Sequence, residues 1–252
     1  MVDRPVVSPE ERLQRVLDLI SELGTVRIDQ LASDFGVSEM TIRRDLDELE
    51  TMGVAKRVRG GAIALGPEPF AERHQHNARA KARIAEKLIR LIPVVGTVAF
   101  DASTTVYRVA ATLERARDLA VVTNGLDSFQ ALTDKPGISA TLTGGTKEPR
   151  TGSLVGPFAI RTAESVLYDM FVCSTAAIDP VLGSSETTIE ESEVKRAFSR
   201  SAQNIVLAVD HSKLGGRGQA RMFELADLDL LVTDLEPKDP RLDDYREQVE
   251  LL

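Results

Sequence analysis

Two sorts of residue cluster in this chain have the types and spacing to hold anions. Arg43 and Arg44 are adjacent, Lys56, Arg57 and Arg59 follow closely, and no acidic residue occurs over 51–67. A guanidinium can grip two acceptors at once, and an ammonium acts as a point charge. The second sort is a series of short runs rich in hydroxyls, glycine and charge. They are Asp101-Ala102-Ser103-Thr104-Thr105, Thr123-Asn124-Gly125, Thr143-Gly144-Gly145, the stretch around Asp179, and Asp210-His211-Ser212-Lys213. Where such a run opens a helix, free backbone N–H groups and the helix dipole both favour negative charge.

The elements that must position these clusters differ along the chain. Leu13, Val16, Leu17, Ile20 and Leu23 recur at helical spacing behind Ser8-Pro9, and Gly24 closes that helix. Residues 25–28 read as extended and 29–35 as a second helix. A third helix over 39–52 is capped by Ser38, stopped by Gly53, and carries an apolar stripe of Ile42, Leu46 and Leu49. Residues 54–65 alternate around Gly60-Gly61 as a two-stranded hairpin does. The fold class expected of 1–65 is therefore an all-α, winged helix-turn-helix domain. Its third helix would leave Thr41, Arg43, Arg44 and Asp47 facing a DNA major groove, with Lys56, Arg57 and Arg59 on phosphates. The rival arrangement is a solvated helix in which Arg43 pairs with Asp47 and Arg44 with Glu48. That order, cation before anion, is the weaker one.

Composition bounds the rest. At 252 residues, 42% hydrophobic and 28% charged, the chain has an ordinary globular balance and room for two domains. Net charge is −8, so any nucleic-acid surface must be local. Residues 1–65 hold 9 basic and 12 acidic side chains, yet five of the nine bases lie between Arg43 and Arg59. With no Trp and 4% aromatics, a stacking platform for single strands is not expected. No apolar run is long enough to span a membrane, and residues 1–14 are too polar for a secretory signal. The single cysteine, Cys173, cannot make an internal disulfide and fits a cytoplasmic protein, as a small core residue. Two prolines in Gly66-Pro67-Glu68-Pro69 mark a linker over 66–81, leaving 82–252 as a second domain. His74 and His76, two apart, would point to different sides of a helix, so no metal is expected, nor any cofactor. The charged tail over 236–246 reads as a solvated terminus.

In the second domain, a helix bearing Ile84, Leu88 and Leu91 leads to a strand over 94–100 and a helix reaching 113. Further apolar runs span 119–122, 138–142, 170–174, 205–209 and 228–232. This alternation predicts an α/β open sheet, in which ligands bind outside the carboxyl ends of the strands. Each hydroxyl-rich loop alone could be a cap or a turn; five at successive strand ends imply a pocket for a small anion. An enzyme is the alternative, with Asp101, Asp179 and Lys213 available for acid–base work on a sugar.

Val37-Ser38-Glu39-Met40-Thr41-Ile42-Arg43-Arg44-Asp45-Leu46, with Leu49, Gly53, Arg57 and Gly60-Gly61-Ala62, resembles the DNA-binding segment of DeoR-family transcriptional repressors over about 9–65. The resemblance implies that Ser38, Thr41, Arg43 and Arg44 contact operator DNA and that Asp45 buttresses an arginine. Residues 70–240 are similar to the same family's effector domain, which implies a fold like ribose-5-phosphate isomerase and a phosphorylated sugar as effector. It places Asp101, Ser103, Thr104 and Thr105 in a phosphate loop, Asn124 and Gly145 in two further loops, and Asp179, Glu193 and Lys213 around the pocket. Ser103, Ser174 and Ala177 stand where the family has glycine, so a reshaped pocket is expected. The Asp-Gly-Ala-Asp loop of the isomerases is absent at 176–180. The expected protein is a homo-oligomeric repressor, dimer or tetramer, of carbohydrate-metabolism genes.

Overall fold

A computed structural model describes residues 8–52, 54–64 and 68–252. Gly53, expected to stop a helix, and Leu65, Gly66 and Pro67 of the expected hairpin end and break lie outside the described residues. The chain divides into two compact units, Met1–Pro69 and Phe70–Leu252.

In the first unit, α1 (Pro9–Leu23) starts as its residues dictate. Ser8 Oγ accepts from the Glu11 amide at 3.1 Å, and Pro9 takes a position that needs no donor. Then come β1 (Thr25–Arg27), α2 (Ile28–Phe35), α3 (Glu39–Thr51), β2 (Ala55–Val58) and β3 (Gly61–Ala64). Val16 and Ile20, Leu31, and the Ile42, Leu46 and Leu49 stripe share one core with Val26, Ala55 and Ala62. Leu23, at the end of the expected α1 stripe, is instead exposed. Ile28, grouped by the sequence with the extended run, begins α2. The run before it pairs with the hairpin, giving an antiparallel sheet of order β1-β3-β2. Gly61 makes that pairing possible, since a Cβ there would lie 1.9 Å from the Val26 carbonyl oxygen.

One ion pair is sealed into this core. Arg12 of α1 reaches Asp45 of α3 with Nε to Oδ2 at 2.7 Å and Nη2 to Oδ1 at 3.0 Å, both side chains being buried. The fork fixes the roll of α3 about its axis, because a bidentate pair tolerates little rotation.

The second unit is built on a seven-stranded sheet. Its strands are β4 (Val95–Phe100), β5 (Asp118–Thr123), β6 (Ile138–Leu142), β9 (Met170–Cys173), β12 (Ile205–Val209), β14 (Leu230–Thr233) and β15 (Glu250–Leu251). The order is β15-β14-β12-β9-β4-β5-β6 and every pairing is parallel. Val98 and Phe100 of β4 and Val206 and Ala208 of β12 pack with α5 (Ala78–Ile89), α6 (Thr104–Thr112) and α7 (Leu126–Thr133). Ala99, Leu207 and Val209, alternate residues of the same strands, pack with α8 (Pro157–Glu164) and α9 (Ile189–Arg200). Both faces of the sheet are thus covered, as a parallel sheet requires. The chain runs from β4 outward through β5 and β6, then returns to the other side of β4 with β9. That reversal marks the place where open α/β sheets bind ligands.

Shorter elements decorate the carboxyl ends: β7 (Thr146–Lys147) with β8 (Leu154–Val155), and a small sheet of β10 (Ala177–Asp179), β11 (Gly183–Glu186) and β13 (Ala220–Arg221). Two segments differ from expectation. Residues 70–81 are helical rather than a linker, forming α4 (Phe70–Gln75) and the first turn of α5. The Phe70 and His74 rings pack edge-on against Tyr107, at 5.4 and 5.2 Å between centroids. The charged tail is folded too, through α10 (Asp243–Arg246) and β15. Tyr245 is buried, donating its hydroxyl to the Ile178 carbonyl at 3.0 Å.

Replacing Asp45 with Ala would leave the Arg12 charge buried without its partner, a loss of about 3–5 kcal/mol for a buried pair. Calorimetry on the full chain should show the transition of the first unit falling while that of the second stays in place.

Candidate functional site

The outward face of α3 opens with two hydroxyls. Ser38 Oγ caps the helix, accepting from the Thr41 amide at 3.1 Å, and lies 2.9 Å from Thr41 Oγ1. Arg43 is exposed, with Nη2 3.3 Å from the Glu39 carboxylate one turn back. Arg44 is exposed and forms no hydrogen bond or ion pair among the described residues. Neither i,i+4 pair of the solvated-helix arrangement forms. Asp47 is taken by Arg57 instead.

Arg57 stands differently from the other cations of the hairpin. Its Nη1 donates to the Arg43 carbonyl at 3.0 Å and pairs with Asp47. Its Nε reaches the Gly61 carbonyl at 3.3 Å, and its backbone N–H donates to Glu50 Oε1 at 2.7 Å. It is a strut between α3 and the wing. Lys56 and Arg59 point to solvent.

At the reversal point of the sheet, Asp101 follows β4 and is fully buried. Its Oδ1 accepts from the Ser103 amide at 3.0 Å, and its Oδ2 accepts from the Ser174 amide at 2.8 Å and pairs with Lys195 Nζ at 2.9 Å. Lys195 also reaches Glu186 Oε1 at 2.6 Å and the Ser174 carbonyl at 2.9 Å. Burial weighs against the Lys195 charge, but Asp101 and Glu186 outweigh it and hold its pKa above the usual lysine value. Burial also lifts the Glu186 carboxyl above its ordinary range. These three groups tie the ends of β4 and β9 to β11 and α9.

The residues expected around a pocket are placed unequally. Ser103 caps α6, accepting from the Val106 amide at 3.2 Å, so its hydroxyl is turned back into the helix. Thr104 and Thr105 are buried in the first turn of α6, with Thr104 Oγ1 3.5 Å from the Arg73 carbonyl. Asn124 is buried, donating to the Leu154 carbonyl at 3.1 Å, while its Oδ1 has no partner among the described residues. Gly145 has φ 116, and a Cβ there would lie 2.6 Å from the Val155 carbonyl oxygen. Lys213 sits half-buried in the 3-10 turn His211–Lys213 after β12. Asp179 closes its own turn, accepting from the Val181 and Leu182 amides at 2.8 and 2.9 Å, which holds its carboxyl below the usual range. Glu193 is exposed on α9, away from the buried carboxylates. The inward charged residues of that helix are Glu191 and Lys195. Glu191 accepts from Thr151 and Ser153 at 3.1 and 2.5 Å, which pins the loop before β8.

A second group of cations carries no such sequence signature. Arg73 of α4, Arg108 of α6, Lys213 and Asp210 are the charges that act on Lys81 of α5. Lys81 is buried and its pKa is drawn down to about 8. Burial is the main cause, Asp210 opposes it, and Lys213, Arg73 and Arg108 add to it. Burial, with Arg108 and Lys81, likewise lowers His74. Arg108 donates from Nη2 to the His74 carbonyl at 3.1 Å, and its Nε is buried without a partner among the described residues. Lys81 falls in the expected linker, and nothing periodic marks Arg108. Of the residues that sequence reasoning missed, Glu191 and Lys195 alone carry a signal, an i,i+4 spacing in phase with Val194 and Phe198. Among the described residues, no three His, Cys, Asp or Glu side chains converge as metal ligands, and no helix is long and apolar enough to cross a membrane.

Lys195→Met would leave Asp101 and Glu186 buried without a counter-charge. The second unit should lose about 3–5 kcal/mol, read as a lowered midpoint of its thermal transition beside an unchanged first unit.

A family model described as the DeoR-like helix-turn-helix domain matches residues 12–68, and one described as the DeoR C terminal sensor domain matches 76–235. The transcriptional regulator GlpR of Haloferax volcanii is 33% identical over 230 residues, 90% of each chain. GolR of Listeria innocua is 31% identical, covering 90% of this chain and 91% of its own. The glycerol-3-phosphate regulon repressor of Escherichia coli K12 is 30% identical with the same coverage. Among solved structures, ribose 5-phosphate isomerase A of Neisseria gonorrhoeae overlaps 53% of this chain and 52% of its own, at TM-score 0.38 and 13% identity. At that TM-score the overlap carries no argument, and the parallel sheet itself assigns the α/β class. Matched by the sensor-domain model over 76–235 and by these relatives along nine tenths of its length, the chain belongs to the DeoR family of helix-turn-helix transcriptional regulators.

Proposed function

We propose that the chain represses carbohydrate-metabolism genes in the cytoplasm and is released from its operator by a small phosphorylated sugar or related metabolite. The carrying observation is the surface of α3. Asp45 and Asp47, its two aspartates, are neutralised by Arg12 and Arg57, so Arg44, Arg43 and the Ser38–Thr41 hydroxyls face outward. In this reading α3 enters the major groove, Arg43 and Arg44 read base edges or phosphates, and Lys56 and Arg59 hold the backbone. Arg57 sets the angle of the wing. One such module buries too little for regulatory specificity, so the protein acts as an oligomer on half-sites about 34 Å apart or a multiple of it.

The effector site in this proposal is the cation group of Lys81, Arg108 and Lys213 with Thr104, whose Oγ1 approaches the same Arg73 carbonyl as Lys81, and Thr105 and Asn124 are assigned to it by the family resemblance. An unpartnered Arg108 Nε and a lysine held at a lowered pKa are both groups that a dianion would satisfy. The relatives' names support a phosphorylated effector: one is a repressor of a glycerol-3-phosphate regulon. An isomerase-like activity finds no support. Asp101 is engaged by Lys195 and two amides, and Asp179 by its own turn.

Arg43→Ala with Arg44→Ala should lower operator affinity at least tenfold, since each good base contact is worth about 1–3 kcal/mol. A gel-shift assay on the DNA flanking its gene checks this, and retention like that of the parent chain would remove α3 from the interface. Phosphorylated-sugar binding at pH 8 should take up a proton, because a bound dianion returns Lys81 from its lowered pKa to full charge. Calorimetry in buffers of different ionisation enthalpy measures the uptake, and Lys81→Met should abolish it.

A further inference from the structure

Two cations of the proposed effector site are held by the backbone of one short helix. Lys81 Nζ donates to the Arg73 carbonyl, Arg108 Nη2 donates to the His74 carbonyl at 3.1 Å, and Thr104 Oγ1 lies 3.5 Å from the Arg73 oxygen. Arg73 and His74 are in the last turn of α4, where carbonyls lack intrahelical partners and carry the negative end of the helix dipole. In this structure α4 therefore occupies Lys81 and Arg108 with negative partial charge of its own.

α4 has six residues, none of them fully buried. Its contacts include the Phe70 and His74 rings against Tyr107, the Arg73 guanidinium over the Phe70 ring, and the Phe70 amide, which donates to the Arg150 carbonyl at 2.8 Å. It is also the first element of the second unit, directly following Pro69, the last residue of the DNA-binding unit.

We infer that α4 is a latch: a phosphorylated effector takes Lys81 and Arg108 from the carbonyls of Arg73 and His74, and the freed helix passes the signal into the segment that leads to the DNA-binding unit. This rests on the reading of Lys81, Arg108 and Lys213 as the effector site. The physical ground is like-charge exclusion. A dianion and the carbonyl end of a helix are both negative, and each is stabilised by the same two cations. A bound phosphoryl group displaces two carbonyl dipoles because a full charge interacts more strongly with an ammonium or guanidinium than a partial one does.

The test uses the full chain with inorganic phosphate and with fructose 6-phosphate, read by amide exchange and by tryptic cleavage after Arg73 and Arg79. Binding should slow exchange over 103–106 and speed cleavage at Arg73 about tenfold. Lys81→Met with Arg108→Met should give the fast cleavage without either ligand. Calorimetry tells whether that variant keeps the second unit folded; if it does not, the parent chain's response to ligand decides alone. Slowed exchange over 103–106 with unchanged or slower cleavage at Arg73 would overturn the latch and leave the effector site standing. No change over 103–106 with either ligand would overturn both.

Discussion

A single ammonium group, Lys195, pairs with two buried carboxylates at the point where the order of the parallel sheet reverses, and the loops of the sensor unit take their positions from it. Asp101 carries the loop that opens α6, Ser174 the end of β9, and Glu186 the end of β11. Three segments far apart in sequence meet at one nitrogen. A charge this deep is tolerated only when its partners satisfy it fully, so the arrangement has little freedom to vary.

The DNA-binding unit solves a related problem with the opposite sign. Its overall charge is acidic, and α3 itself holds more carboxylates than arginines. Two of those carboxylates are engaged internally, Asp45 by Arg12 inside the core and Asp47 by Arg57 beside the wing. The same bonds that silence the acids fix the roll of α3 and the angle of the hairpin. Neutralisation and positioning are thus one set of contacts, and a repulsive helix becomes one that can approach phosphate.

The coupling proposed between effector and DNA needs little energy. Typical allosteric coupling of about 1–3 kcal/mol changes affinity roughly 5- to 150-fold. In that proposal the Lys81 and Arg108 bonds to α4 carbonyls are the ones a bound anion competes for.

Much of this architecture is written in short-range sequence patterns. Period-3.6 apolar spacing locates α1 and α3, continuous apolar runs locate the main strands to within two residues, and Ser38 and Ser103 announce their helices as caps. These features are local: a few neighbouring residues determine each through backbone geometry and burial of one face. Who pairs with whom is not local. Asp101 meets a lysine on α9, Arg57 bonds Asp47 and the Arg43 carbonyl, Glu193 turns outward while Glu191 and Lys195 turn in, and the tail folds back as β15. A charged side chain reaches several ångströms in any direction, and its partner is selected by desolvation once the core has closed. Sequence alone could therefore name the elements and their order, and only the closed tertiary structure could choose which charges pair inside it.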